Sequence, residues 1–319
     1  MRVPFILPSA ARDVDVVTLG ENSLDVVAVV ASGRPAAGKQ RLDDFRLEPG
    51  GQMSTAALGC ARLGLRTRYI GVFGIDEWSR RARAPLDAAG VEVVAFERPD
   101  TPGRIAVILV DATGERTVLE RRDVGLVVDA DEIAPDMIGT SRVLLADATQ
   151  PGASLRAIAL AREAGTLSVS DVDQVSPDAE AILAVVDVAV VPGPFVTAWA
   201  GTTDLPAALE RLAAHCRHAS LVIATCGADG SLAWCREGFI RTPGVQVPVV
   251  DTTGAGDAFR AGLIAGLVHL GPEATLADVL QFANATGALN CRAVGAQGGL
   301  PSLDEVRAHV TAGRSGLSK

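Results

Sequence analysis

Asp251-Thr252-Thr253-Gly254-Ala255-Gly256-Asp257-Ala258-Phe259 is the stretch around which the rest of the chain is organised. Before it, Val245-Gln246-Val247-Pro248-Val249-Val250 reads as extended. After it, Arg260-Ala261-Gly262-Leu263-Ile264-Ala265-Gly266 reads as a helix with small residues on its face. Strand, glycine-rich turn and helix start, in that order, aim several free N–H groups at one point. The helix dipole behind them makes an anion site. Asp257 falls in the first helical turn, beside that site. Donors that hold developing negative charge, with a carboxylate ready to take a hydroxyl proton, suit phosphoryl transfer.

Composition narrows the classes. The 319 residues are 48% hydrophobic and 4% aromatic, so the core is aliphatic and large enough for an α/β architecture without staples. A net charge of −9 and the scarcity of aromatics exclude a polyanion-binding or base-stacking surface, and no nucleic-acid partner is expected. No run approaches the roughly 18 apolar residues of a membrane helix, so no membrane is expected either. Five cysteines (Cys60, Cys216, Cys226, Cys235, Cys291) form no Cys-x-x-Cys pair. With no secretory signal, they suggest a reduced, cytoplasmic chain.

Outward from the central stretch, Asp15 to Leu19 reads as a first buried strand ending at Gly20, with Asp25 shortly after its exit. Pro49-Gly50-Gly51-Gln52 opens an alanine-rich helix that Gly64 stops. Residues 91–123 look extended, with a hairpin turn at Asp111-Ala112-Thr113-Gly114. From residue 141 strands and helices alternate, which predicts a parallel sheet with crossover helices. Asp147, Asp171 and Asp173 fall at strand ends, where open α/β sheets bind ligands; a cap or turn explains them equally well. Thr275 to Val294 and Ser302 to Val310 read as the last helices, with residues 313–319 frayed.

Asp-Thr-x-Gly-Ala-Gly-Asp followed by Ala-Phe and a small-residue helix resembles the C-terminal signature of the ribokinase (PfkB) family of carbohydrate kinases. Gly20-x-x-x-x-Asp25 is similar to the family's first sugar-contacting segment. Gly50-Gly51 with the following helix is similar to its N-terminal signature, except that Thr55 stands where an asparagine is usual. Thr225-Cys226-Gly227-Ala228-Asp229-Gly230 is similar to its nucleotide loop.

The resemblance spans residues 15 to 310. It implies one ribokinase-like three-layer α/β domain over 1–319, with a mostly parallel central sheet and a small β-sheet lid built from segments 24–48 and 91–123. It implies transfer of the ATP γ-phosphoryl group to a hydroxyl of a sugar or sugar acid. Asp257 would be the base, and the N–H groups of Gly254, Ala255 and Gly256 the anion hole. Asp25, Gly50, Gly51 and Thr55 would hold the substrate, with Arg104 and Arg121 as clamps for an anionic one. Thr225, Gly227, Gly230 and Asn284 would contact the nucleotide. The expected cofactors are ATP, Mg2+ and, as in some members, a monovalent cation such as K+. A homodimer through the lid is the family habit.

The chief departure lies at Pro192-Gly193-Pro194-Phe195, where the family's Asn-x-x-Glu, tied to magnesium, is missing. Water and Asp251 hold the ion, or metal use is unusual, or the enzyme is impaired. The alternatives to a sugar kinase are a nucleoside kinase of the same family and a catalytically silent nucleotide- or sugar-binding protein.

Overall fold

The computed structural model describes residues 1–8, 11–30, 38–111 and 116–316. The hairpin turn expected at 111–114 thus falls largely outside the described residues. Seven strands run parallel in the order β5 (Glu92–Glu97), β4 (Thr67–Phe73), β1 (Val14–Leu19), β8 (Ser141–Asp147), β9 (Leu167–Asp171), β10 (Val188–Pro192) and β11 (Leu221–Thr225). An antiparallel hairpin, β12 (Ser231–Cys235) and β13 (Gly238–Thr242), extends that sheet at one edge. A second sheet has the order β3 (Asp44–Gly50), β2 (Ser23–Val30), β6 (Ile105–Asp111) and β7 (Arg116–Arg121).

The large sheet is covered on both faces, which is why its strands are hydrophobic at successive positions instead of alternating with polar residues. On β10, Val188 and Val190 enter one core while Ala189 and Val191 enter the other. The first core is closed by α1 (Gln52–Arg62), α2 (Glu77–Ala88), α8 (Ala255–His269), α9 (Leu276–Asn290) and α10 (Leu303–Gly316). The second is closed by α3 (Pro135–Gly139), α4 (Pro151–Ala164), α5 (Pro177–Leu183), α6 (Gly193–Ala200) and α7 (Leu205–His215). The small residues of α8 let it lie against α9: a Cβ at Gly262 would come within 2.4 Å of the Thr286 hydroxyl. This fixes where the N-terminal turn of α8 meets the ends of the strands.

The structure differs from the sequence reading in several places. β5 pairs in parallel with β4, from Arg68↔Glu92 onward, and so belongs to the large sheet; the small sheet takes only β6 and β7 from residues 91–123. The crossover through α2 returns the chain alongside β4, as a β-α-β unit does. Residues 245–250 form no strand, because Pro248 interrupts the run of ladder donors. Pro192-Gly193-Pro194 opens a helix, α6, to which the sequence reading assigned no element, with proline in its first turn. The last helix continues to Gly316, beyond the expected stop at Val310.

Candidate active site

Gly254 caps α8 with φ 74°, and a Cβ there would lie 2.3 Å from the Ala296 carbonyl oxygen, so this position admits glycine alone without strain. Asp251 stitches the turn together. Its Oδ1 accepts from the Thr253 N–H at 2.9 Å and the Thr253 hydroxyl at 2.7 Å, and its Oδ2 accepts from the Gly295 N–H at 2.9 Å. The Asn290 amide donates to the carbonyls of Thr253 (3.1 Å) and Ala296 (3.0 Å) and closes the same loop pair. Asp251, expected as a metal residue, is thus a tie between two loops.

On one side of the turn lies a cavity of about 230 Å³. Ala255 and Gly256 line it together with Thr225, Gly227, Gly230 and Asn284, so every residue expected to contact nucleotide borders one space. Val245, Val247, Val249 and Phe259 give it apolar walls. The Asn284 amide donates to the carbonyls of Thr242 (3.3 Å) and Pro243 (3.1 Å), and so braces a wall of the cavity.

On the other side is a more ionic cleft of about 360 Å³, bordered by Glu21, Arg104, Glu120, Arg122, Asp171 and Asp173 among others. Arg104 lies 3.1 Å from Glu21 and 2.6 Å from Glu120, and Arg122 pairs with Glu21 as well. Arg121 is turned away: its side chain is 65% exposed, 3.8 Å from Asp123. The strand alternation of β7 explains this, since Arg121 pairs across from Ile105 while Glu120 shares the Asp25 face through Ala106. Arg122, not Arg121, therefore borders the cleft, and Arg104 is already paired with two carboxylates.

Asp25 is buried, with Oδ1 accepting from the Ser23 hydroxyl at 2.8 Å. Burial raises its carboxyl above the usual range. A Cβ at Gly50 would sit 2.3 Å from Asp25 Oδ2, so Gly50 leaves room for this carboxyl, while a Cβ at Gly51 would meet the Asn22 backbone at 2.5 Å. Gly51 follows as the N-cap of α1. Thr55 is fully buried, and its hydroxyl accepts from Gln297 Nε2 at 3.4 Å. It lies inside α1's packing and, like Asp25, is not among the residues that border the cleft.

Asp257 links the two spaces through its neighbours: Gly256, next in sequence, lines the first, and Asp171, whose charge acts on it, lines the second. Burial, then the like charge of Asp171, holds the Asp257 carboxyl well above the usual carboxylate range. Asp171 is raised too, chiefly by burial, with Arg260 opposing. Asp147 is pushed up to about 6 by burial, although Thr149 donates to it twice. Asp147 and Asp171 were visible as strand-end acids; Glu21, Arg122 and Arg260 were not assigned to the site from sequence.

No cluster of three or more His, Cys, Asp or Glu side chains fit to hold a metal occurs among the described residues. Asp251 is engaged by both loops, and residues 192–195 carry no acid.

Residues 13–303 match the model of the pfkB family carbohydrate kinases. The chain belongs to the pfkB family of carbohydrate kinases. It is 32% identical over 280 residues to a fructokinase of Klebsiella pneumoniae, covering 81% of this chain and 91% of that protein. It is 30% identical over 301 residues to the aminoimidazole riboside kinase of Salmonella typhimurium, covering 82% and 88%. Among solved structures it is similar to Arabidopsis thaliana ribokinase complexed with ribose and ATP, with TM-score 0.79, 18% identity and coverage of 93% and 99%. A Xylella fastidiosa fructokinase with bound ATP gives TM-score 0.79 at 20% identity, covering 94% and 99%. The fold is accordingly ribokinase-like, and the activity class is ATP-dependent phosphoryl transfer to a carbohydrate.

Proposed function

We propose that the protein transfers the γ-phosphoryl group of ATP to a hydroxyl of an uncharged sugar of about monosaccharide size. The observation that carries this reading is that Ala255 and Gly256 of the turn line one cavity while Asp171, the carboxyl charge acting most strongly on Asp257, lines the other. ATP would lie in the apolar-walled cavity with its terminal phosphates at the N–H groups of Gly254, Ala255 and Gly256. Those donors hold the charge that spreads over the transferring group, without reorganisation. The acceptor would lie in the ionic cleft with hydroxyls on Glu21, and Asp257 would take the proton from the attacking hydroxyl. Magnesium would arrive on the nucleotide phosphates, because the described residues offer no ligand cluster for it.

The acceptor's charge follows from the cleft. An anionic sugar would have to displace Glu21 or Glu120 from Arg104, and would still face Asp171 and Asp173. A neutral polyol can instead share these carboxylates as acceptors. The cleft lining has no aromatic residue among those described, which disfavours a nucleoside base.

We also propose that two copies pair through the small sheet. Leu47, Val26, Val107 and Leu119 form one row across all four strands, with Phe45 in the next row on that face. Phe45 and Leu119 are 55% and 56% exposed. Cytoplasmic residence is supported by five free thiols; no helix among the described residues is long and apolar enough to cross a membrane.

The test is ADP release from ATP and magnesium across a panel of neutral sugars, sugar acids, sulfo-sugars, sugar phosphates and nucleosides. A neutral sugar turned over best is the expected result. A sugar acid turned over best would overturn the charge argument, a nucleoside would favour the nucleoside-kinase reading, and ATP binding without turnover would favour a silent binder.

A further inference from the structure

Arg260 is a cation buried beside the reacting carboxyl. It follows Asp257 by three positions on α8, so the two side chains leave the same side of the helix. Its side chain is 3% exposed, and its Nη2 lies 2.7 Å from Asp171 Oδ1, a side chain with no exposure at all. The same nitrogen donates to the Val190 carbonyl at 3.2 Å. A Cβ at Gly256 would come to 3.0 Å from Nη1, so the guanidinium is pressed against the anion-hole turn from behind. Helix turn, β9 and β10 are joined at this one group.

We propose that Arg260 is a positioning residue for the transfer step: bridging Asp171, Val190 and the Gly256 turn, it fixes the Asp257 carboxyl and supplies the buried positive charge that lets that carboxyl ionise. The inference rests on the reading of Asp257 as the base.

The charges around Asp257 make the need plain. Asp171 and Asp173 face it from the end of β9, Asp147 from the end of β8, and Arg260 from its own helix. Arg122, beyond β7, faces Asp147 and Asp173 but is already paired with Glu21. Four carboxyls therefore converge, and Arg260 is the guanidinium committed to the inner two. Asp171 and Asp257 are both buried, and the like charge of Asp171 raises Asp257, so the pair resists losing both protons. A base that must lose its proton near neutral pH needs an opposite charge at contact distance. Burial of the guanidinium is otherwise unfavourable, since a buried ion pair recovers its desolvation only when its geometry is fixed. A guanidinium that merely tied α8 to the sheet would affect stability without affecting how Asp257 titrates.

The experiment is a carboxyl-carbon NMR titration of the full-length protein labelled at aspartate, without substrate, with the Asp257 resonance assigned by its loss in Asp257→Asn. Arg260→Met is expected to move the Asp257 titration up by about one to three pH units. Arg260→Lys should move it less, and Asp171→Asn should move it down. The acidic limb of kcat, measured with whichever acceptor the panel yields, should shift in the same directions. If Arg260→Met does not fold, Arg260→Lys and Asp171→Asn still test the opposite signs. A titration unchanged in the Arg260 variants, or raised in Asp171→Asn, overturns the proposal. Retained turnover in Asp257→Asn would remove the base assignment, while the titration would still report what Arg260 does to that carboxyl.

Discussion

The two sides of the active site are built differently. The nucleotide side is made of backbone and small residues, largely contiguous in sequence at 225–230, 244–259 and 284–291. The proposed acceptor side is made of charged side chains gathered from β7, β9 and the loops before β2 and β6 and after β7 and β9. Backbone donors need only the right turn, which a short glycine motif encodes. A network such as Glu21–Arg104–Glu120 needs strands far apart in the chain to meet, and its specificity comes from how those charges cancel. The first kind of site carries a general chemistry; the second decides what the chemistry acts on.

Four measurements put this division at risk. Asp257→Asn should lower turnover by a factor of about 10² to 10⁴ with both ligands still bound, as removal of a general base does. Wild-type turnover in that variant would end the assignment. Gly254→Ala should act on the nucleotide side alone. The added methyl meets the Ala296 carbonyl at a φ of 74°, and strain of about 1–3 kcal/mol would weaken ATP binding by roughly tenfold or more. Arg104→Met should do the reverse, raising KM for the acceptor about 10- to 100-fold at unchanged ATP affinity, because Glu120 loses its 2.6 Å partner. Isothermal titration with ATP and acceptor kinetics on the same preparations would show whether the two effects separate.

The remaining measurement is pH dependence, with a capping residue as its control. As the proposed base, Asp257 would act only when ionised, and its carboxyl is held well above the usual range, so kcat/KM should fall by about tenfold per unit as pH drops below that raised value. ATP binding, which relies on backbone donors, should show no matching limb. Outside both cavities, Glu305 accepts from the Ser302 N–H at 2.9 Å and pairs with Arg292 at 2.9 Å, which lowers its carboxyl to about 2. A depressed carboxyl contributes stability that is complete above its unfolded value and is lost as pH falls through the folded one. Glu305 is 48% exposed, so solvent screening keeps the contribution below about 1 kcal/mol. Glu305→Gln should thus lower Tm slightly at neutral pH, progressively less below the unfolded value of 4.5, and leave both ligand affinities alone.

The central stretch alone specifies the class of chemistry: glycines at 254 and 256 with Asp257 in the next turn encode a backbone anion site with a carboxylate beside it. The alternation after residue 141 likewise specifies a parallel sheet, because buried strands and crossover helices have distinct periods. Local sequence also marks Gly50-Gly51 and Asp25, but not that the glycine admits the carboxyl. It takes the tertiary structure to show that Arg122 and not Arg121 enters the cleft, that Thr55 is sealed inside α1, that β5 joins the large sheet, and that Arg260 meets Asp171 from a distant part of the chain. Each of these depends on which face of an element is turned inward and on what another distant element brings to it. Turn geometry is a property of a few adjacent residues, whereas charge pairing and burial are properties of the packed whole.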